Sequence, residues 1–296
     1  MEENKPLLEG IDPEIITHMT SRRDTLLKAT ALVGAIATAP IAFGALAGTA
    51  FGQGASLPGK IADVLNFALT LERLEDEFYR TGLSSSGLIP AETQAVFQQI
   101  SKHETAHVAL LSSVLGAKAG PKPTFDFTAG GAFADVFSNY QTFLAVSQAL
   151  EDTGVRAYKG QAGNLKSNGK ILTTALQIHS VEARHAAEVR RIRGQNGWIT
   201  GDSRGNLPAP TQAVYAGEGN TTQGGASLSG LAGVSSGAVS ESFDEPLTKA
   251  EVLAIAGLFI AKPATASGKM EKMDKDKDKK DKMEKKDKDK KDKPKY

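Results

Sequence analysis

The sequence predicts an all-α fold: a four-helix bundle made of two related helical hairpins, followed by a short C-terminal helix and a disordered tail. Three observations predict it. Apolar residues recur at three- and four-residue spacing in four long segments after residue 57, which is typical of amphipathic helices. Proline precedes the first two segments and glycine closes the second and fourth, as expected at helix ends. No segment alternates convincingly between apolar and polar residues, so no strand is predicted.

The four helices are predicted in chain order, with one longer connection in the middle. The first, IADVLNFALTLERLEDEFYRTGL, follows Pro58, and the second, AETQAVFQQISKHETAHVALLSSVLG, runs from Pro90 to Gly116. The Pro- and Gly-rich link GAKAGPKPTFDFTAGG precedes the third, ADVFSNYQTFLAVSQALEDTGVRAYKG. The fourth, KILTTALQIHSVEARHAAEVRRIRG, closes at Gly194. This arrangement is typical of a four-helix bundle, which we assign to residues 57–196.

The chain beyond the bundle divides into two parts. Residues 197–262 hold a Gly-rich extension and a fifth helix, LTKAEVLAIAGLFIAK, whose apolar face needs a docking site. Residues 263–296 are predicted to be a disordered Lys/Asp tail, because low-complexity charged sequence cannot bury a core. Between Lys269 and Tyr296, fourteen Lys stand against nine carboxylates, a local charge of +5. The tail is expected to be a solvated appendage that could also contact an anionic envelope surface weakly.

Residues 1–52 are predicted to be a twin-arginine export signal. Arg22 and Arg23 precede the uncharged, Ala- and Gly-rich run 29–52, and small residues near its end offer cleavage sites. The protein is therefore expected in the periplasm or outside the cell. The alternative is an uncleaved membrane anchor, because the run is long enough to span a bilayer.

Composition narrows the chemistry that this chain can perform. The 296 residues include five His and no Cys, which excludes disulfides, thiolate metal sites and thiol catalysis. Any bound metal must therefore be held by His and carboxylates. The net charge is +1, and the +5 tail leaves −4 on the rest of the chain. A nucleic-acid-binding surface is not expected on such a chain.

Two E-x-x-H motifs and two further Glu residues form a repeated constellation. On the second and fourth helices, Glu and His lie three residues apart, so each pair projects from one helix face. The first and third helices each carry Leu-Glu followed seven residues later by Tyr. The predicted metal ligands are Glu72, Glu104, His107, Glu151, Glu182 and His185, with Tyr79 and Tyr158 beside them.

The spacing of these residues repeats between the two halves of the bundle. The Glu residues of the first hairpin are 32 residues apart and those of the second are 31 apart. Packed around a pseudo-two-fold axis, the hairpins would bring four carboxylates and two imidazoles to one interior point. This is the ligand set of di-iron and di-manganese carboxylate bundles. Two neighbouring divalent ions need bridging anions, and hard carboxylate ligands suit their oxygen chemistry. Spacing does not assign which carboxylates bridge.

The stretch HETAH at residues 103–107 also matches the H-E-x-x-H motif of zinc proteases. A catalytic zinc usually needs a third protein ligand. Leu110 and Ser113 stand where the extended motif requires Gly and His, and the next Glu, Glu151, lies beyond a helix-breaking link. The protease interpretation is therefore disfavoured, and His103 is expected to lie beside the metal ligands or at the surface.

The sequence alone leaves three assignments open: the ligand on the first helix, the role of the two tyrosines and the role of His179. Glu75 lies one turn after Glu72 and could replace it as the ligand, although the Tyr79 spacing, repeated at Tyr158, favours Glu72. The two tyrosines are expected to hydrogen-bond to ligands or to pack in the core. His179 lies one turn before the fourth-helix Glu and could orient a ligand or make an ordinary core or surface hydrogen bond.

The chain resembles the bacterial ferritin-like domain proteins, a family that includes desiccation-related proteins. The resemblance spans about Leu57 to Lys262 and rests on LNFALTLERLEDEFYR, LEDTGVRAYKG, WITG, VYAGEGNTTQGG and FDEPLTKAEVLAIAGLFIAK. It implies a ferritin-like four-helix bundle with a di-metal site. It implies little about the reaction.

Two functions are consistent with these residues. The first is an exported di-metal protein, with iron expected and manganese as the variant, that oxidises Fe(II) or reduces dioxygen or peroxide. It would be a ferroxidase- or peroxidase-like oxidoreductase, or act like a di-manganese catalase. The second is a non-catalytic, stress- or desiccation-related bundle that binds metal for stability. We expect metal ions and dioxygen or peroxide as partners, no nucleic acid, and a monomer or dimer.

Overall fold

The computed structural model describes residues 57–230 and 233–261, so the predicted export signal and Lys/Asp tail lie outside the described residues. Its architecture is mostly helical, which confirms the predicted fold class. The bundle consists of α1 (Gly59–Ser84), α2 (Ala91–Leu115), α3 (Tyr140–Ala162) and α4 (Gly169–Ile192). Helix α1 packs mainly on α2, and α3 mainly on α4, as two hairpins. Within the described ranges, no helix combines the length and hydropathy needed to cross a membrane.

Local sequence signals set where the bundle helices begin. Pro58 and Pro90 directly precede α1 and α2, and the side chain of Asn168 accepts the N–H of Ile171 to cap α4. The predicted start of the third helix at Ala134 is wrong. Residues up to 138 form successive turns, and the Asn139 side chain accepts the N–H of Gln141 at the true start.

A structured extension follows the bundle. It contains a 3₁₀ helix (Ala209–Tyr215) and two short helices, α5 (Ser236–Ser240) and α6 (Lys249–Ala256). Strands β1 (Thr222–Gln223) and β2 (Ala226–Ser227) form an antiparallel pair, in contrast to the prediction of no strand. Two-residue strands are too short to show an alternating pattern in the sequence.

Helix α6 is shorter than the predicted fifth helix. A capping box between Thr248 and Glu251 starts it, and Gly257 follows its last residue, Ala256. The chain then straightens, and Ile260 pairs with Phe125 in an isolated β-bridge. The end of the extension is thereby attached to the long α2–α3 connection.

Arg156 on α3 anchors the extension to the second hairpin. The side chain is 1% exposed and forms a salt bridge of 2.7 Å with Glu218. Its guanidinium also donates to the carbonyls of Val214, Ala216 and Glu245. At Gly160 on the same helix, a Cβ would lie 1.9 Å from the carbonyl oxygen of Leu247. The extension therefore approaches α3 more closely than any side chain there would allow.

The core has an aromatic part and an aliphatic part. The aromatic part centres on rings such as Phe78 and Phe143, which stack with centroids 4.9 Å apart. The aliphatic part includes Leu111 and Ile171 near the other end of the bundle. Along α2 and α4, the predicted metal ligands lie between the two parts.

Candidate metal centre

The six predicted ligands come together inside the bundle in two overlapping groups. The first group is Glu72, Glu104, His107 and Glu182, and the second is Glu104, Glu151, Glu182 and His185. Within each group, one potential ligand atom per residue lies within 4.8 Å of all the others. Glu104 and Glu182 belong to both groups. Each hairpin contributes one of these shared carboxylates. The geometry therefore indicates that Glu104 and Glu182 are the two residues that could bridge a pair of ions.

Each imidazole faces three carboxylates. Nδ1 of His107 lies 3.1 Å from Glu72 Oε2, 3.2 Å from Glu104 Oε2 and 3.1 Å from Glu182 Oε1. Nδ1 of His185 lies 2.9 Å from an oxygen of Glu104 and 3.7 Å from one of Glu182. Its third carboxylate, at 3.3 Å, is Glu151. The two imidazoles therefore occupy equivalent places on either side of the shared carboxylates.

Several buried polar atoms at this point lack a hydrogen-bond partner among the described residues. They are Glu104 Oε1, Glu151 Oε2, both carboxylate oxygens of Glu182, and His185 Nδ1. His185 Nδ1 approaches Glu104 Oε1 to 2.9 Å, but without hydrogen-bond geometry. Buried polar atoms are normally satisfied, and each exception needs an explanation. Carboxylate oxygens and imidazole nitrogens that converge in this way fit divalent metal ions.

Burial and mutual charge shift the pKa values of these groups in opposite directions. Burial, followed by the repulsion of Glu182, raises the pKa of Glu104, and burial raises that of Glu151 to about 7. Burial would also raise the pKa of Glu182, but the neighbouring His107 and His185 imidazoles outweigh it and lower that pKa to about 2. Burial would lower the pKa of His185, but the surrounding carboxylates raise it to about 12. Without metal, protons must therefore offset part of the carboxylate charge.

The two tyrosines cross between the hairpins. Tyr79 of α1 donates its hydroxyl hydrogen to Glu151 of α3, and Tyr158 of α3 donates to Glu72 of α1. The Tyr79 hydroxyl also lies 2.7 Å from Ser147 Oγ. Burial, followed by the adjacent carboxylate, raises the pKa of both phenols, so they remain donors. Each tyrosine therefore hydrogen-bonds to a carboxylate of the other hairpin. The seven-residue spacing places each tyrosine on the same face as the Glu of its own helix and did not predict this crossed pairing.

Glu75 is a fifth buried carboxylate that the sequence suggested only as a substitute for Glu72. It is 3% exposed and belongs to neither ligand group. Burial, followed by the charge of Glu182, raises its pKa. Its counterpart in the second hairpin is Gly154, where a Cβ would lie 3.3 Å from Glu75 Oε1. Because Gly154 has no side chain, Glu75 can occupy the space beside it. The sequence could have indicated this, because Glu75 and Gly154 each lie three residues after a predicted ligand, Glu72 or Glu151.

The remaining histidines lie outside both ligand groups. Nδ1 of His103 lies 2.8 Å from Nε2 of His185, and the two rings stack. His103 therefore contacts a candidate ligand from behind, and the described residues provide no site that uses it with His107 in the manner of a zinc protease. His179 lies 3.0 Å from the carbonyl oxygen of Val155 and touches none of the ligands.

Comparison with known proteins agrees with this arrangement. The family model of the ferritin-like domain matches residues 60–195, which span α1 to α4 and all six ligand residues. No curated protein matches the chain.

Proposed function

Residues 60–195 are a ferritin-like domain, and on that premise we propose that the chain is an exported di-metal carboxylate protein that oxidises Fe(II). Dioxygen or hydrogen peroxide would be the electron acceptor. One observation carries the proposal: two buried ligand groups share Glu104 and Glu182. A single-ion site has no need for two shared carboxylates, whereas two neighbouring cations require them.

The residues of each hairpin would have matching roles toward the ions. Glu72 and His107 would hold one ion, Glu151 and His185 the other, and the two shared carboxylates would bridge them. A pair of bound Fe(II) ions supplies two electrons, which reduce dioxygen with two protons to hydrogen peroxide, or hydrogen peroxide with two protons to water.

The surrounding chain would support this chemistry in three ways. Tyr79 and Tyr158 fix the orientation of the two terminal carboxylates through hydrogen bonds. All four ligand carboxylates are 0% exposed, which keeps bulk water away from the ions. The Glu151 carboxyl has a pKa of about 7 in the metal-free chain, so it can lose or gain a proton near neutral pH as the charge of the centre changes.

Metal content tests the proposal most directly. The purified full-length chain should hold about two iron or manganese ions, and Glu104→Ala with Glu182→Ala should abolish them while the protein stays helical. The matched control is Glu92→Ala with Glu188→Ala, which removes one carboxylate from each of the same helices away from the ligands. Unchanged metal content in the first double variant would refute the site.

Oxidant assays then separate the proposed function from its alternative. Anaerobically loaded Fe(II) protein mixed with dioxygen or peroxide should form Fe(III) at a rate that the double variant loses. Bound metal without any turnover would instead identify a non-catalytic, stress- or desiccation-related bundle. A single zinc held by His103 and His107 would restore the protease interpretation.

Export is the part of the proposal that rests on the sequence alone. Arg22 and Arg23 precede the uncharged run at residues 29–52. Replacing both arginines with Lys should retain the protein in the cytoplasm, as measured by cell fractionation. Continued appearance of the variant outside the cytoplasm would exclude the twin-arginine route.

A further inference from the structure

An apolar cavity lies in the aliphatic part of the core, next to the metal centre. It offers about 30 Å³ of space for the centres of water-sized molecules, and side chains from all four bundle helices line it. Twelve of the sixteen lining residues are aliphatic, such as Ala68 and Ala175, and Gln161 and Thr174 are polar. Leu110, Val114 and Thr174 also line it and are half-exposed. The cavity therefore reaches the surface between α2 and α4.

The inner end of the cavity reaches the residues that hold the ions. The ring of Tyr158 lines the cavity, while its hydroxyl donates to Glu72. Leu111 and Ile178 also line it, and each lies one helical turn from a ligand, His107 or Glu182. A small molecule inside the cavity would thus be separated from the centre by a single layer of side chains.

The aromatic part of the core lies on the other side of the centre and is tightly packed. There the aromatic rings pack so closely that a Cβ at Gly82 would lie 2.4 Å from Phe143 Cε2. Phe78, Tyr79 and Phe97 are fully buried in the same part. Among the described residues, the apolar cavity beside the centre therefore lies in the aliphatic part, whereas the pocket lined by Ala183, Ala186 and Arg190 is partly polar.

The lining of the cavity selects against polar molecules. A hydroxyl that enters an apolar environment without a hydrogen bond loses several kcal/mol. Genuinely apolar cavities stay dry and bind apolar guests such as benzene or xenon. Among the six candidate ligands, His107 is the most exposed, with 11% of its side chain accessible, and it does not line the cavity.

We propose that this cavity holds dioxygen and delivers it to the metal centre, so that dioxygen rather than hydrogen peroxide is the physiological oxidant. The inference rests on the proposed function. Each of two Fe(II) ions would lose one electron to become Fe(III). One dioxygen molecule would take both electrons and two protons from water to become hydrogen peroxide.

Xenon binding tests the cavity independently of iron chemistry. Xenon should bind the metal-free, full-length chain, as detected by ¹²⁹Xe NMR. Ala175→Leu places extra carbon atoms in the cavity and should abolish this binding. The matched control, Gln177→Leu, adds a leucine at an exposed position of the same helix and should leave xenon binding intact. Ala175→Val is the smaller insertion if the leucine variant fails to fold.

Oxidation kinetics then test the choice of oxidant. With metal content and helicity unchanged, filling the cavity should slow Fe(II) oxidation by dioxygen at least about tenfold and leave oxidation by peroxide within about twofold. Equal slowing with both oxidants, or no slowing with dioxygen, overturns the proposal. If xenon does not bind but Fe(II) oxidation is normal, the delivery of dioxygen through this cavity is overturned and the proposed function stands. Xenon binding without oxidation by either molecule overturns the proposed function and the role of dioxygen together.

Discussion

Helices α2 and α3 contribute candidate metal ligands to the same cluster from opposite surroundings. On α3, every residue from Phe143 to Tyr158 is buried, whereas α2 buries only a stripe of residues that contains Glu104 and His107. The difference arises because the extension covers the outer face of α3 and leaves that of α2 in contact with solvent. The inner faces nevertheless both present candidate ligands, Glu104 and His107 on α2 and Glu151 on α3. The metal site therefore depends on the inner stripe of each helix, and the outer faces were free to diverge.

Polar residues on the covered face of α3 need hydrogen-bond or ion-pair partners within the protein, because water cannot reach them. Asp152 pairs with Arg190 at 2.5 Å and accepts the hydroxyl hydrogen of Tyr215 at 2.7 Å. On the first hairpin, by contrast, Arg80 pairs with Asp76 at 3.3 Å while the arginine side chain remains 66% exposed. The same residue types therefore contribute very differently to stability in the two hairpins.

Two single variants, one arginine removed from each hairpin, should give the largest difference in the free energy of unfolding. Arg156→Ala leaves the buried carboxylate of Glu218 without its cation and should cost about 3–5 kcal/mol of the free energy of unfolding. Arg80→Ala removes an exposed salt bridge and should cost less than about 1 kcal/mol. Urea unfolding of both variants measures the difference. Equal losses would show that the extension does not anchor the second hairpin.

A pH series should show a smaller effect, to which Glu151 of the covered helix contributes together with Glu75 and Glu104. Glu151 has a folded-state pKa of about 7, above its unfolded value of roughly 4.5. Its contribution to stability is therefore complete below about pH 4.5 and is lost as the pH rises through 7, by about 3 kcal/mol. The raised pKa of His185, about 12, acts in the same direction above pH 6.5.

Metal should reverse that pH dependence, because ions displace the protons and bind more tightly as pH rises. Thermal unfolding of the metal-free protein between pH 5 and 8 should show falling stability, and of the loaded protein rising stability. Glu151→Gln should flatten the metal-free slope. A metal-free protein that is most stable at pH 8 would contradict the buried, protonated cluster.

The smallest effect concerns His103, which has no equivalent in the second hairpin. It contacts His185 at 2.8 Å, whereas the corresponding position before Glu182 is Val181. His103→Val makes the two hairpins alike and should weaken binding of one ion by about 10–100-fold, as loss of a contact behind a ligand does. Metal titration measures it, with His179→Val as the control. Unchanged affinity would show that His103 does not orient His185.

The inner face of the bundle was predictable from sequence, and the outer face was not. Helical periodicity and the E-x-x-H spacing predicted that the six candidate ligands come together, because they depend on the geometry of single helices. The crossed hydrogen bonds of Tyr79 and Tyr158 depend on how hairpins pack, which no spacing along the chain encodes. The docking of Arg156 on distant carbonyls was invisible for the same reason. The late start of α3 was missed because Asn139 can cap a helix or lie within one.

The crossed tyrosines and shared carboxylates have an evolutionary consequence. Neither hairpin contains a complete half of the centre, yet two copies of a single hairpin related by a two-fold axis would contain all of it. A shorter ancestral chain could thus have built this site as a homodimer. Duplication and fusion would then have allowed the two copies to specialise, and Glu75 and Gly154 differ in this way: one carries a carboxylate, and the other has no side chain in the space beside it.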